Sequence, residues 1–283
     1  MFSTSFLLSD VNFSESDLIL PKLGIQFDQE TYLSQDYFYI DIPEVAKFEI
    51  ENGQSIRYQL YANANPDLVV LYLNGSILAA LLHQRKQLIF HASSFVYEDQ
   101  TIMICGESEA GKSSLSLAFC LETSRFLNDD ISPIIFNNNQ AWILPMGKKM
   151  KLWKDSLFQL KLENEFFEKV ESNNEKYYYE LKAEHEESKL DLIVLLEIYE
   201  GDEVLSIELS GIEKFEALRN QIYRQEYLVY MPESEKRYMK ELLMLSTCLK
   251  VYLVKRPKKM KINETKNFLE KLFKKTNFDS NLI

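Results

Sequence analysis

Apolar and polar positions alternate early in the chain with the period of a strand. Tyr37-Phe-Tyr-Ile-Asp-Ile, Lys47-Phe-Glu-Ile-Glu and Ile56-Arg-Tyr-Gln-Leu-Tyr alternate or cluster β-formers, and Asn52-Gly53 between the second and third suits a tight hairpin turn. From Asp67 to Leu82 the pattern turns apolar at helical spacing, with Ala79, Ala80, Leu81 and Leu82 after Gly75. Short apolar runs at Leu88-Ile-Phe and Thr101-Ile-Met-Ile-Cys predict strands, and the second runs straight into a glycine loop. A helix over Ser113 to Cys120 and a short strand at Phe126-Leu127 follow. Leu192-Ile-Val-Leu-Leu-Glu-Ile is apolar without alternation, the mark of a strand covered on both faces. Phe215 to Arg224 and Glu235 to Thr247 read as helices, and Lys250-Val-Tyr-Leu-Val as a late strand. A last helix from Glu264 to about Lys274 would be capped by Asn263. With no repeat and no low-complexity linker, the two halves are expected to pack as one unit.

Composition narrows this little but usefully. The 283 residues are 46% hydrophobic and 13% aromatic, ample for a large core and inconsistent with disorder over most of the length. No apolar stretch approaches the roughly 18 residues of a membrane span. Met1 to Asp10 lacks the basic start and small-residue cleavage site of a secretory signal. Cys105, Cys120 and Cys248 are odd in number and far apart, which suits neither a disulfide framework nor a zinc site. A reduced, cytoplasmic protein is expected. The net charge of -11 argues against a general nucleic-acid binder. Positive charge gathers between Lys255 and Lys275, either as a docking patch for an acidic partner or, the favoured reading, as the solvated face of the last helix.

The glycine loop carries the chemistry. Gly106-Glu107-Ser108-Glu109-Ala110-Gly111-Lys112-Ser113 fills every fixed position of G-x-x-x-x-G-K-[ST], between an expected strand and an expected helix. The two glycines let successive N–H groups turn inward on phosphate oxygens, and the helix start, with Ser114, adds its dipole. Lys112 reaches the β- and γ-phosphates, and the Ser113 hydroxyl is placed to ligate Mg²⁺. Glu107 and Glu109 are unusual so close to a polyphosphate, and are expected to point outward. Asp129 and Asp130 follow the Phe126-Leu127 strand, seventeen residues after Lys112. A carboxylate there can hold Mg²⁺ through water, and a second beside it can accept a proton from an attacking hydroxyl. An Asn-Asp-Asp turn with no function is the bland alternative.

His91, fifteen residues before the loop, joins the loop and the Asp129-Asp130 pair in a constellation that resembles the catalytic domain of HPr kinase/phosphorylase. That fold is in turn related to ATP-dependent phosphoenolpyruvate carboxykinase. Leu81-Leu-His-Gln-Arg85, Leu88-Ile-Phe-His91-Ala-Ser-Ser, Lys151-Leu-Trp153-Lys-Asp155 and Leu218-Arg-Asn-Gln-Ile-Tyr-Arg224 are similar to segments of the wider group of HPr-kinase-related proteins, which includes serine kinases that modify precursor peptides of natural products. The resemblance runs from about Tyr37 to Phe273. It implies an α/β fold, with an HPr kinase/carboxykinase-like P-loop core of mixed sheet at residues 88–283 and a β-rich N-terminal region at 1–87. It implies Mg²⁺ as cofactor and ATP as co-substrate. The acceptor would be a hydroxyl of a peptide, protein or small molecule, with no membrane partner, and the chain would be a homo-oligomer. Asp130 would be the base, with Asp129 beside it, Lys112 on the phosphates and His91 near the transferred phosphoryl group. The family's later Gly-Arg-Asn signature has no copy here, so the resemblance does not extend to HPr as acceptor or to the phosphorylase reaction. Lys149, Lys151 and Arg224 are candidates for missing positive charge at the γ-phosphate, while Trp153 reads as core. A nucleotide-gated module without transfer is the competing function, and a decarboxylating carboxykinase ranks last. The N-terminal region is either a cover over the sheet or a surface that captures an extended peptide.

Overall fold

The computed structural model describes residues 10–18, 20–122, 124–162, 167–170, 174–182 and 184–280, the last four as backbone. The expectation about a signal at Met1 to Asp10 therefore lies, but for Asp10, outside the described residues. The protein is a mixed α/β structure whose contacts divide it into two compact units, one of Met1–Ile89 with Ile222–Leu243, the other of Phe90–Gln221 with Met244–Ile283. Residues 222–243, far along the chain, thus belong with the N-terminal region.

The first unit is built on β1 (Asn12–Glu15), β2 (Ile25–Gln26), β3 (Thr31–Ser34), β4 (Tyr37–Ile42), β5 (Ala46–Glu51) and β6 (Ser55–Leu60), in the order β1-β6-β5-β4-β3-β2. β2 to β6 form an antiparallel meander, and β1 joins it parallel to β6. The three alternating runs are β4, β5 and β6. Asn52 and Gly53 both have positive φ (55° and 62°), and Gln54 N–H closes on the Glu51 carbonyl at 3.1 Å, the tight turn that matches strand twist. α1 (Pro66–Tyr72), a π-helical turn (Leu73–Ile77) and α2 (Leu78–Gln84) follow as one helical run. This corrects one expectation, because Pro66–Gln84 is long and apolar enough to cross a bilayer by length and composition. Asn74, Gly75 and Ser76 break its apolar pattern in the sequence, yet they continue the helix. More than half of it, including all of Leu78–Gln84, is buried in the fold, which accounts for its apolarity without a membrane.

The Leu81–Arg85 segment is architectural. Gln84 accepts from Gly53 N–H at 2.7 Å and donates to the Ile50 carbonyl, while Arg85 donates to the Gly53 carbonyl, so the two side chains pin the β5–β6 turn. His83 is fully buried between the Tyr238 hydroxyl (3.0 Å) and the Tyr223 carbonyl (2.9 Å), and burial pushes its pKa down to about 4.

The second unit has a mixed sheet of β7 (Leu88–Tyr97), β8 (Gln100–Gly106), β9 (Arg125–Asn128), β10 (Ile131–Asn137), β11 (Gln140–Ile143), β14 (Ser188–Tyr199), β15 (Leu205–Glu208) and β16 (Lys250–Pro257). Its order is β11-β10-β7-β8-β14-β16-β15, with β9 on β7. A separate antiparallel ribbon pairs β12 (Lys149–Trp153) with β13 (Lys176–Glu180). β14 runs parallel to both β8 and β16, which is why Leu192–Leu196 reads apolar at every position. β8, β14 and β16 therefore end at one edge, where ligands of parallel sheets commonly bind. α3 (Lys112–Cys120) and α7 (Ile262–Ser280) share a core with the sheet through Phe95, Ile104, Leu115, Phe119, Val194 and Phe273, with Phe95 stacked on Phe119 at 4.9 Å.

Several boundaries differ from the pattern. β7 continues through His91 to Tyr97, because its polar residues bond inward: Ser93 Oγ to the Asn128 carbonyl and Ser94 Oγ to Ser132 Oγ. α5 (Gly211–Arg219) starts earlier and stops before Arg224, and α6 (Pro232–Cys248) contains the expected Glu235–Thr247 helix. Asn263 lies within the first turn of α7 and is not its cap; the Glu264 carboxylate reaches back to Lys261 N–H at 2.9 Å instead. The helix also runs past Lys274 to Ser280. The basic run is not one solvated face, since Lys255 and Arg256 lie on β16 and Lys266 is buried against Glu122 and Glu270.

Candidate functional site

β8 ends at Gly106, whose φ is +145° and where a Cβ would stand 2.3 Å from the Leu196 carbonyl oxygen of β14. Only glycine lets the strand leave the sheet there. Glu107, Ser108 and Glu109 are exposed, as their charge requires, and Ala110 turns inward. Gly111, at φ +103°, starts α3. Lys112 folds back over the loop and donates to the carbonyls of Gly106 and Glu107, both at 2.9 Å. Burial lowers its pKa, against the opposing pull of the Asp129 and Asp130 charges. Ser114 Oγ donates to Ser156 Oγ at 2.7 Å, on α4 (Lys154–Gln159). Arg256 of β16 braces the far side of the loop: Nε donates to the Ala110 carbonyl at 3.0 Å, and the guanidinium lies against Gly111.

The two aspartates sit in the turn between β9 and β10. Asn128 fixes that turn by accepting from Met146 N–H (2.7 Å) and donating to the Leu144 carbonyl (2.9 Å). Asp130 has a positive φ of 71°, a conformation that costs a non-glycine residue energy. Asp129 Oδ2 accepts Lys151 N–H at 3.1 Å, and the Ser113 hydroxyl faces the same carboxylate. Asp129 Oδ1 is buried with no hydrogen-bond partner. Burial, and then the neighbouring Asp130 charge, raise the Asp129 pKa above its ordinary value despite Ser113 and Lys151. Burial also pushes on Asp130, but there the Lys151 charge and hydrogen bond, with His91 and Lys112, prevail and hold its pKa below the ordinary value. Lys151 Nζ lies 3.0 Å from Asp130 Oδ2, and His91 Nε2 3.5 Å from Oδ1, an ion pair when the imidazole is protonated.

The structure thus brings His91, Lys112, Ser113, Asp129, Asp130 and Lys151 together. Lys149 pairs instead with Glu168 at 3.1 Å. Arg224 belongs to the first unit, where it donates to Ser76 Oγ at 3.0 Å. Trp153 is half-buried, with the Lys176 ammonium 4.5 Å from its ring centroid. Arg256, Lys176, Asn128 and Ser156 escaped the sequence reading. Arg256 sits inside a run of other cations, and Lys176 has no motif around it. Among the described residues no group of three or more His, Cys, Asp or Glu side chains could hold a metal unaided. The orphaned Asp129 oxygen beside the Ser113 hydroxyl does fit a Mg²⁺ ion that takes its remaining ligands from phosphates and water.

No family model matches the chain, and no curated protein matches it either. Among solved structures, the Hpr(Ser) kinase/phosphatase from Coxiella burnetii is similar over 68% of this chain and 98% of that one, at a TM-score of 0.35 and 11% identity. This is a distant likeness to a kinase fold, too loose to carry an argument about activity.

Proposed function

We propose that the second unit is an ATP- and Mg²⁺-dependent phosphotransferase that moves the γ-phosphoryl group to a hydroxyl, foremost a serine of a peptide or protein. The observation that carries the reading is the meeting of the Gly106–Ser113 loop with the Asp129–Asp130 turn at the C-terminal edge of the parallel strands. Loop N–H groups and Lys112 would hold the phosphates, once Lys112 exchanges its two carbonyl partners for phosphate oxygens. Ser113 and Asp129 would hold Mg²⁺, which when bound neutralises phosphate charge. Asp130 would orient the acceptor hydroxyl and take its proton on Oδ1, since Oδ2 is occupied by Lys151. The acceptor oxygen–phosphorus bond forms, the bond from phosphorus to the β-phosphate oxygen breaks, and the nucleoside diphosphate leaves. His91, within reach of the same oxygen, would steady it.

A second reading, a nucleotide-gated binding module, is favoured by one observation: the lowered pKa of Asp130 makes it a weak base. Labelled phosphate on a serine-bearing acceptor peptide, abolished in Lys112→Ala and Asp130→Asn, supports transfer. Nucleotide binding without label supports the module, and full activity in both variants overturns the site.

A further inference from the structure

The β12–β13 ribbon has two unlike faces. Met150, Leu152 and Tyr177 point into a core that also holds Leu117 and Phe126. Residues directly across an antiparallel pair share a face, so the register Lys151↔Tyr178 and Trp153↔Lys176 puts Lys151, Trp153, Lys176 and Tyr178 together on the other. Lys151 marks where that face looks, because its ammonium is 3.0 Å from Asp130. Lys176 is anchored differently. Its ammonium lies 4.5 Å from the Trp153 ring centroid, and none of the ion pairs among the described residues involves it. Its charge is felt by Lys112, whose proton affinity it lowers.

Lys112 of α3, Lys151 of β12 and Lys176 of β13 thus bring three ammonium groups to this part of the second unit, with Lys151 on Asp130 and Lys176 acting on Lys112. Lys151 is matched to Asp130, Lys112 rests on loop carbonyls, and Lys176 rests on an aromatic face. Such a face stabilises a cation without neutralising it. The last two are cations placed to meet an anion, and Lys112 is already the partner of the β-phosphate end of the loop.

We propose that Lys176, held over Trp153 on the ribbon face that carries Lys151, is the cation that meets the γ-phosphate and lets the site tell a nucleoside triphosphate from a diphosphate. This rests on the reading of Gly106–Ser113 as a triphosphate loop. The ring fixes the ammonium in place before the nucleotide arrives, so the contact is made with little loss of side-chain freedom.

The test compares the affinity of the full chain for Mg²⁺·ADP and for the Mg²⁺ complex of a non-hydrolysable β,γ-imido ATP analogue, by calorimetric titration. Lys176→Met is expected to lose roughly 10- to 100-fold in affinity for the triphosphate analogue while ADP affinity stays unchanged, as one charge-assisted contact to phosphate is removed. Lys176→Arg should restore most of the preference, and Trp153→Leu should lose part of it. Unchanged ADP binding shows that each variant is folded. If Lys176→Met keeps the wild-type preference, or weakens both ligands equally, the assignment of Lys176 is wrong while the loop stands. If the wild type binds neither ligand, or Lys112→Ala binds both as well as wild type, the loop reading fails and takes this proposal with it.

Discussion

Asp129→Asn should make the protein more stable in chelator while, on the proposed function, abolishing phosphoryl transfer. Asp129 Oδ1 is buried without a partner and the Asp130 carboxylate is its neighbour in sequence. What asparagine removes is the buried charge, which costs about 1–3 kcal/mol, partly offset by the Ser113 hydroxyl and the attraction of Lys112 and Lys151. Asparagine keeps an oxygen for Lys151 N–H and removes the charge. The net gain should be about 1 kcal/mol, or roughly 2–4 °C in melting temperature for a unit of this size. The sign of the pH dependence follows from the raised pKa. Above it, the folded wild type carries a charge that it disfavours, so the variant's advantage is full at neutral pH. As pH falls through the raised value towards the ordinary 3.8, the folded wild type takes up a proton and the advantage closes. The chain has two tryptophans, Trp142 and Trp153, both in the second unit, so fluorescence-detected urea melts in chelator report on that unit alone. An asparagine variant less stable than wild type at pH 7, or a gap that does not narrow in acid, would refute the reasoning. Active sites commonly hold such locally unfavourable arrangements because function requires them.

Two further outcomes are expected. Gly106→Ala should destabilise the second unit by roughly 2–4 kcal/mol in the same melts, because the new Cβ meets the Leu196 carbonyl oxygen at 2.3 Å in a backbone conformation that alanine resists. Lys151→Met should cost about 1–3 kcal/mol at neutral pH. That loss should shrink as pH drops through the depressed Asp130 pKa below 3.8, where wild-type Asp130 also loses its charge; a pH-independent loss would mean that packing, not the ion pair, is at stake.

Much of this was legible in the chain, for identifiable reasons. Strands β4, β5 and β6 alternate visibly, and Asn52-Gly53 announces its turn because both residues tolerate positive φ. The loop is legible because each of its fixed residues answers a backbone demand, as Gly106 does against Leu196. His91 was harder: its strand reads as broken, since Ser93 and Ser94 are polar outside and satisfied inside. The helical run Pro66–Gln84 was legible as apolar residues at helical spacing from Asp67 to Leu82; only its apolar length was underestimated, because Asn74, Gly75 and Ser76 interrupt it. Arg256 and Lys176 were out of reach, because strand pairing and register, not spacing, deliver Arg256 to the loop and Lys176 to the ribbon face beside Trp153. So was the return of residues 222–243 to the first unit, which depends on contacts such as Tyr223 N–H to the Ile89 carbonyl. No local pattern records a contact of that span.

The parallel pairing of β8 with β14, and of β14 with β16, has a temporal meaning. Gly106 leaves the ribosome early, but the strand that closes against it is made some ninety residues later, and Arg256, which braces Ala110, later still. A nascent or truncated chain lacking β16 would carry the full glycine motif with an unsupported loop. Long-range pairings of this kind form late in folding. The Gly106–Ser113 loop is therefore supported only once β14 and β16, far along the chain, have paired behind it.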